Sequence, residues 1–540
     1  MNISDELGKI QQSQSGGVAI PPGGFKITVA VLHHGSPANE YPIGSFIQKI
    51  TIFEDIELDG VTGWLEMLDT YNLVRNGLII GEELLYLKFM SAGVEEAGLD
   101  NIWSVDFSEQ PLYVHKIEDM TEMSTATGGK SQSGLTYKLH FCSPELLRNE
   151  RTKVSKSLQG TYTDLVKKVL VNELKTTKTL MYEDTEDLKH VIIPNISPMQ
   201  AINMMASSCQ SLPKSNAATV EDWFALDNRV DPKRVASKLF QGRMTDYHFW
   251  ETSRGYKLLP VVNKWANTGL HITVGGATAT TNYLGTMTTS LSHSFDFHGD
   301  TFSSIPTGVW AAKQITHDAT NKYVNTYQSN YMTSLDNEVN SFVSKTPVFT
   351  PDGNVEKNIM EEDKRLTDFP NSVVMMDSYN GQSISNINNT KSKSPLELSY
   401  PWTLDPFTIS LRRQMQVVHG LNYQLMTVRL YGISALEAGM NVKLDLPDTG
   451  RGSDFRQLKE SREVWENRMD NIWVIKKLVH TLETTQDSLT YYCDLQLANT
   501  LRAADDPLPL YPALGSSKYE TTGVWNQIDV TKLGPDIAGR

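Results

Sequence analysis

The sequence has no long hydrophobic run and no basic run. None of its 540 residues lie in a window approaching the ~18 consecutive apolar residues that cross a bilayer. The polar start of the chain, with Asp5 and Glu6, is also unlike a signal peptide. Lys and Arg never occur more than two in a row, and the net charge is −14. Because no long apolar run is present, we expect no membrane anchor. A protein that neutralises phosphates needs a stripe of Lys and Arg, so we also expect no tight nucleic-acid binding.

Cysteine and catalytic signatures are equally scarce. Cys142, Cys209 and Cys493 lie far apart without a CxxC pair. This spacing excludes a disulfide framework and argues against a zinc site. So few cysteines also favour synthesis in a reducing cytoplasm. The chain has no HExxH, no GxSxG, no GxGxxG after a strand and no EF-hand loop. The segment GGKS at 128–131 resembles the end of a P-loop, but Ser124 replaces the required glycine and strands flank it, which predicts a turn. We therefore predict no catalytic residue, no cofactor and no metal.

A few residues are candidates for general acid–base catalysis. His317-Asp318 and His480 have no partner nucleophile at motif spacing, so we interpret them as hydrogen-bonded polar residues. Glu54-Asp55 and Glu82-Glu83 are carboxylate pairs, and a glycosidase needs two carboxylates across a sugar cleft. Adjacent strand residues point to opposite faces, so neither pair can serve alone. We expect both pairs to be solvated at strand edges and turns.

From Phe25 onward the sequence contains short alternating segments. Apolar and polar residues alternate with period two, which is typical of strands with one face against a core. Six such segments at roughly even spacing predict a small antiparallel barrel or sandwich: 26–32, 47–53, 63–68, 84–89, 112–117 and 135–141.

The pattern becomes helical at Ser143-Pro144-Glu145, which is typical of a helix N-terminus. An amphipathic helix is predicted over 165–174, with Thr161 or Thr163 as its cap. Another helix is predicted over 199–209, so that residues 151–240 are expected to be rich in helix.

The chain is organised around residues 246–260, DYHFWETSRGYKLLP. Two strands, 247–251 and 256–259, are predicted to flank a turn in which Gly255 supplies the positive φ of a tight hairpin. Tyr247 and Phe249 share one strand face and Trp250 lies on the other. Both faces are therefore apolar, and we expect the hairpin to be interior.

The rest of the chain alternates between strand patterns and polar segments. Residues 262–300 are predicted as loops or edge strands, and the polar segment 335–400 as an insertion with helical character around 356–365. The Pro-rich residues from Leu501 are predicted to form an extended arm. Strands are predicted at 308–315, 322–331, 411–418, 425–431, 441–446, 472–480 and 489–497.

In this order, the segments resemble the baseplate hub proteins of contractile-tailed bacteriophages. The order and spacing of the matching segments, rather than any single segment, carry the resemblance. They are IFEDI at 52–56, GWLEMLD at 63–69, IIGEEL at 79–84, FCSPE at 141–145, VSKS at 154–157, GTYTD at 160–164, IPNISP at 193–198, FWETSRGYKL at 249–258 and GISALEAGMNVKLDLP at 432–447.

The resemblance implies an α+β, mainly β fold with two tail-tube-like antiparallel β-barrels plus α-rich intermediate and insertion regions. The second barrel would be discontinuous, because the central hairpin would begin it and residues far along the chain would close it. The implied domains are a flexible N-terminus (1–24), a first barrel (25–150), an α-rich hub domain (151–243), a second barrel (244–262 and 406–500), an inserted region (263–405) and a C-terminal arm (501–540).

The resemblance also implies a structural, non-enzymatic function. The chain would be a homotrimer in the virion tail baseplate, assembled in the host cytoplasm, that adapts a six-fold tail tube to a three-fold spike. Its partners would be a separate central spike protein, tail tube or tube-initiator proteins, a tape measure protein and baseplate wedge proteins. DNA would pass through the lumen without specific binding, which suits the acidic chain. The alternative is a carbohydrate-binding or carbohydrate-processing tail protein, with a sugar cleft in the 263–405 insertion.

Overall fold

The alternating segments that follow Phe25 are β-strands in the structure, a computed structural model. It describes residues 10, 22–35, 40–95, 97–99, 103–127, 130–185, 189–209, 247–260, 270–274, 283–297, 306, 311–318, 323–330, 371, 373–378, 424–445, 471–484, 489–503 and 526–529. Within these ranges strands far outnumber helices, so the predicted class, α+β and mainly β, is confirmed.

All six strands predicted for the first part of the chain are present. In the strand Thr62–Asp69, the buried residues Leu65 and Met67 alternate with the half-buried Trp64 and Glu66, which is the predicted period of two. The strands are β1 (Phe25–His33), β2 (Glu40–Pro42), β3 (Ile47–Asp55), β4 (Thr62–Asp69), β5 (Leu84–Ser91), β6 (Ser104–Asp106), β7 (Leu112–Thr127) and β8 (Lys130–Cys142).

Strands β7 and β8 form one long antiparallel hairpin. Thr127 pairs with Lys130 across the residues predicted to turn, which confirms the turn at this P-loop-like segment, although Gly128 and Gly129 themselves lie outside the described residues. Neighbouring β4 pairs with β8 only as far as Asp69 and Leu135. The distal half of the hairpin therefore extends beyond its neighbour in the sheet.

A helical layer follows the first strands. Helices α1 (Pro144–Arg151), α2 (Tyr162–Asn172) and α3 (Pro198–Ala206) confirm the predicted helices, and the N-cap of α2 is Thr161, whose side chain accepts a hydrogen bond from the Asp164 N–H. The predicted α-rich region also contains strands. These are β9 (Val154–Gly160), β10 (Thr179–Tyr182) and β11 (Lys189–Ile196). Residues 210–246 lie outside the described ranges.

The central hairpin is present and buried on both faces, as predicted. Its strands are β12 (Tyr247–Thr252) and β13 (Gly255–Pro260), and every residue of both is buried. Tyr247 and Phe249 pack in a core with α2 and α3, whereas Trp250 packs in a separate cluster with residues of the large sheet. Strand β13 pairs in parallel with β10, and neither hairpin strand pairs with a described strand of residues 406–500.

The first and last parts of the chain share one sheet. The later strands are β19 (Gln424–Tyr431), β20 (Asn441–Asp445), β21 (Asn471–Thr484) and β22 (Leu489–Ala503). Strand β21 pairs antiparallel with β3, from Lys477 opposite Asp55 to Glu483 opposite Lys49. One hydrophobic core runs beneath both parts and includes Leu87 and Phe141 as well as Leu430 and Tyr491. The two parts are therefore packed as one body.

Parts of the predicted insertion belong to this sheet. Strands β14 (Leu270–Thr273) and β15 (Ser292–Phe297) pair with β20 and β19, and helix α4 (Tyr283–Thr288) lies between them in sequence. The predicted strands near 308–315 and 322–331 are β16 (Ala311–Asp318) and β17 (Tyr323–Asn330), which form a small sheet with β18 (Val374–Ser378). The helical prediction at 356–365 and the strand prediction at 411–418 lie outside the described residues.

The predicted C-terminal arm is described only in part. Strand β22 continues to Ala503, and β23 (Asn526–Asp529) pairs antiparallel with β10. The described part of the arm thus contains a strand, and the division of the chain into domains stays a prediction.

Candidate functional site: a buried charged junction

The turn of the central hairpin lies where the large sheet meets the helical layer. Charged and polar groups from three segments converge there: the end of β3, the hairpin, and the loop 432–440 between β19 and β20. We call this set the junction. It consists of Glu54, Thr252, Ser253, Arg254, Lys257, Glu437 and Ala438.

Glu437 is the acceptor at the centre of the junction. Its Oε1 lies 2.7 Å from Nη1 of Arg254, and its Oε2 lies 2.9 Å from Nζ of Lys257. The Thr252 hydroxyl donates a further hydrogen bond to Oε2 at 3.0 Å. Burial alone would raise the pKa of Glu437, but Lys257 and Arg254 outweigh it and hold the pKa at about 2. Glu437 is therefore an ionised, fully paired buried carboxylate at neutral pH.

Glu54 is the second carboxylate of the junction, and it is bound by backbone groups. Its Oε1 accepts the N–H of Ser253 at 2.7 Å, and its Oε2 accepts the N–H of Ala438 at 3.1 Å. Burial and the neighbouring charge of Glu437 raise its pKa to about 7, although both N–H bonds and a hydrogen bond from the Ser253 side chain favour the charged form. The two junction carboxylates thus differ in pKa because one has cationic partners and the other does not.

A second buried charged cluster flanks the hairpin. Lys178 Nζ lies 2.7 Å from Glu145 on α1 and 2.5 Å from Glu251 on β12. The other oxygen of Glu251 accepts the N–H of Val61 at 3.1 Å, and the Thr176 hydroxyl donates to Glu145 at 2.9 Å. Every residue named here except Val61 is charged or polar, and all are buried. This cluster joins helix α1 of the helical layer to strand β12 of the hairpin.

The arrangement can hold segments in register, but it cannot process a substrate. Glu54 and Glu437 are only 1% and 2% exposed, so no solute reaches either carboxylate. Removing one partner of such a buried pair leaves an uncompensated charge, which costs about 3–5 kcal/mol. The junction joins backbone segments 384 residues apart in sequence, from Glu54 to Ala438. The junction therefore stabilises the packing of distant segments of the chain.

The structure corrects the expectation that the carboxylate pairs are solvated. Glu54, Asp55 and Glu83 are all buried, and Glu82 alone of the four is exposed. Asp55 lies 3.1 Å from Lys477, and Glu83 accepts N–H groups of its own loop, including that of Ile80 at 2.6 Å. The expectation was wrong because a carboxylate can be buried when nearby donors replace its water.

His480 is a buried core residue that is only partly satisfied. Its Nδ1 lies 2.8 Å from the Tyr491 hydroxyl, but Nε2 has no hydrogen-bond partner among the described residues. Burial, with a smaller contribution from Arg254, lowers its pKa to about 3. The imidazole is therefore neutral, and the prediction of a satisfied polar residue holds for one nitrogen.

The remaining candidates lie apart from the junction. His317 and Asp318 end strand β16, and the structure does not describe their side chains. Arg254 and Lys257 are ion-paired to Glu437. The hairpin aromatics are core, as predicted. Among the described ranges, no group of three or more His, Cys, Asp or Glu could hold a metal, and no helix is long and apolar enough to cross a membrane.

Sequence reasoning missed Glu437 and Lys178 as site residues. Glu437 lies in an otherwise apolar and small-residue segment, ISALEAGM at 433–440, where a single charged residue is a sign of a buried ion pair. No comparable signal marks Lys178, which lies in the polar segment KTTKT at 175–179. Its partners come from α1 and β12, and only the tertiary structure brings them together.

The chain is similar in structure to phage tail and secretion-system proteins. A tail protein from Neisseria meningitidis matches with 9% identity and a TM-score of 0.45, over 89% of this chain and 99% of that one. The 43 kDa tail protein of prophage MuSo2 from Shewanella oneidensis matches with 7% identity and a TM-score of 0.40, over 87% and 98%. An E. coli component of the type VI secretion system, described as similar to the T4 bacteriophage tail proteins gp27 and gp5, matches with 6% identity and a TM-score of 0.35, over 90% and 80%. No family model and no curated protein matches the sequence.

Proposed function

We propose that this protein is a structural, non-enzymatic baseplate hub at the tip of a phage tail. It assembles in the host cytoplasm and is part of the virion tail baseplate. There it forms a homotrimer that adapts a six-fold tail tube to a three-fold central spike. The sequence resemblance suggests this function. The observation that supports it is the continuous sheet that joins the first and last parts of the chain, each of which is predicted to form a tube-like barrel, through β3 and β21. Two such parts per subunit give six in a trimer, which is the number that a six-fold tube requires.

An exposed edge strand supports assembly with further copies. Strand β15 ends the path of the large sheet, and its only described strand partner is β19. Residues 291–296 are exposed on both faces and include Leu291 (43%) and Phe295 (36%). Exposed apolar side chains on the end strand of a sheet favour contact with another chain. We therefore propose β15 as part of the subunit interface.

The further partners of the hub are part of the same proposal. A separate spike protein would bind on one side of the trimer, and tube or tube-initiator and tape measure proteins on the other. Baseplate wedge proteins would bind at the periphery. Affinity would come from large interfaces, of the size that obligate assemblies bury. DNA would cross the lumen without specific binding.

Light scattering of the purified protein at several concentrations tests the proposal. The expected species has three times the chain mass of 60.5 kDa. A photoreactive amino acid at Ser294, on β15, should cross-link the subunits. The matched control is Ile192 on β11, which is 71% exposed and should give no cross-link. A stable species of one chain mass over the whole range would contradict the homotrimer, and a trimer without the Ser294 cross-link would contradict β15 as its interface.

A further inference from the structure

Glu54 binds two segments at once through its two side-chain oxygens. Oε1 accepts the N–H of Ser253 in the hairpin turn, and Oε2 accepts the N–H of Ala438 in the loop 432–440. The side chain is 1% exposed, so water cannot replace either bond. Because the turn and the loop are remote in sequence, this one carboxylate ties together segments that have no strand pairing with each other.

The charged and titratable groups around Glu54 come from every element packed against it, and those with opposite charge are engaged elsewhere. Among the described residues, no Lys or Arg forms a salt bridge with Glu54. The groups are Glu437 in the loop; Arg254 and Lys257 in the hairpin, both paired with Glu437; Lys476 and Lys477 on β21, paired with Glu57 and Asp55; and Tyr491 and Cys493 on β22, which interact electrostatically with Glu54.

We propose that Glu54 is a proton-controlled tie between the hairpin turn and the loop 432–440. The ionised carboxylate is an acceptor at both oxygens and holds the N–H groups of Ser253 and Ala438 together. A proton on one oxygen makes that atom a donor with only a weak remaining acceptor capacity, so that the hydrogen bond of one of the two buried N–H groups is weakened or lost. The hairpin and the loop are then held by the remaining bonds, centred on Glu437, and the N–H of Ser253 or Ala438 becomes exposed to solvent more readily. This goes beyond the proposed hub function, because it concerns a single subunit.

The environment of Glu54 places this change near neutral pH. Burial and the charge of Glu437 raise the pKa of Glu54 to about 7. Glu437 itself stays ionised throughout this range, since its cationic partners hold its pKa at about 2. Of the two junction carboxylates, Glu54 alone therefore changes charge between pH 6 and 8.

Hydrogen exchange by mass spectrometry tests the tie in the intact chain. Peptides that cover Ser253 and Ala438 are followed at pH 6 and pH 8.5, and each rate is corrected for its intrinsic pH dependence. Losing the acceptor of a buried N–H should lower the protection of at least one of them about five- to tenfold at pH 6. Glu54→Gln has one acceptor oxygen at any pH and should show the lower protection at both. Glu66→Gln, a half-buried carboxylate on the neighbouring strand β4, is the matched control and should keep the wild-type dependence.

Two results would overturn the proposal. One is equal corrected protection of both peptides at the two pH values in the wild-type protein. The other is a Glu54→Gln variant that keeps the wild-type pH dependence. The wild-type comparison decides the question by itself if the variant fails to fold, and its readout is local to two peptides and independent of how many subunits assemble.

Discussion

Replacing Glu437 by Gln should destabilise the protein by an amount that the structure fixes. Glu437 is 2% exposed, and the substitution removes the charge that neutralises Lys257, which is also 2% exposed, while keeping the side-chain volume. Breaking a buried ion pair by removing one partner costs about 3–5 kcal/mol. The pKa gives a similar figure. A change from the ordinary 4.5 to about 2 corresponds to roughly 3 kcal/mol of favourable interaction with the ionised form.

The pH dependence of this effect follows from the sign of the shift. Because the folded-state pKa of Glu437 is below its unfolded value, the stabilisation is present above pH 4.5 and is lost as pH falls toward 2. The difference in unfolding free energy between the wild type and Glu437→Gln should therefore be about 3 kcal/mol at pH 6 and roughly half of that at pH 3.

Denaturant unfolding followed by tryptophan fluorescence measures this difference, since Trp250 lies directly beside the junction and donates to the Ala438 carbonyl at 3.1 Å. Glu66→Gln, on the half-buried face of β4, should change stability by less than about 0.5 kcal/mol. The reasoning would be refuted if Glu437→Gln were as stable as the wild type at pH 6, or if the difference did not shrink on acidification.

Three further predictions concern the core around the junction. Gly432→Ala would place a Cβ 2.0 Å from the ring of Tyr491, so we expect a loss of at least about 2 kcal/mol or misfolding, whereas Gly44→Ala, with its nearest atom at 3.8 Å, should be tolerated in the same thermal unfolding assay. The pKa of His480 is lowered to about 3, so its contribution to the free energy of unfolding should be lost as pH falls from 6.5 toward 3. His480→Gln should flatten this part of the plot of unfolding free energy against pH. An unchanged plot would contradict a buried, neutral His480. Trp250→Phe removes a hydrogen bond and part of a buried ring, and chemical unfolding should show a loss of about 1–3 kcal/mol; a loss below 0.5 kcal/mol would argue against this packing.

Local patterns identified most of the individual elements. The alternation in 63–68 and 84–89 predicted β4 and β5, because one face of each strand is buried and the other is not. The hairpin strands were predicted from their aromatic residues and Gly255, which has φ +111° in the structure. These signals depend on a few neighbouring residues, and the sequence displays them directly.

The candidate site was largely invisible to the same reasoning. Glu54 was interpreted as solvated at a strand edge, because nothing near it in sequence supplies a partner. Its partners are the N–H groups of Ser253 and Ala438, which are 199 and 384 residues away. The pairing of β3 with β21 likewise depends on two edges that meet only after folding. Resemblance to a family supplied a topology but no side-chain partners.

The sequence by itself determined most strand and helix positions, the absence of recognisable catalytic motifs and the two-sided apolar character of the central hairpin, but not the strands β9, β10 and β11. These properties depend on side-chain periodicity and backbone preference, which are local. The tertiary structure alone decided that the first and last strands share one sheet and one core, and that a charged junction lies beneath the hairpin. A carboxylate becomes a buried acceptor only when distant donors displace its water, and that free-energy balance is set by the packed chain rather than by the residue type.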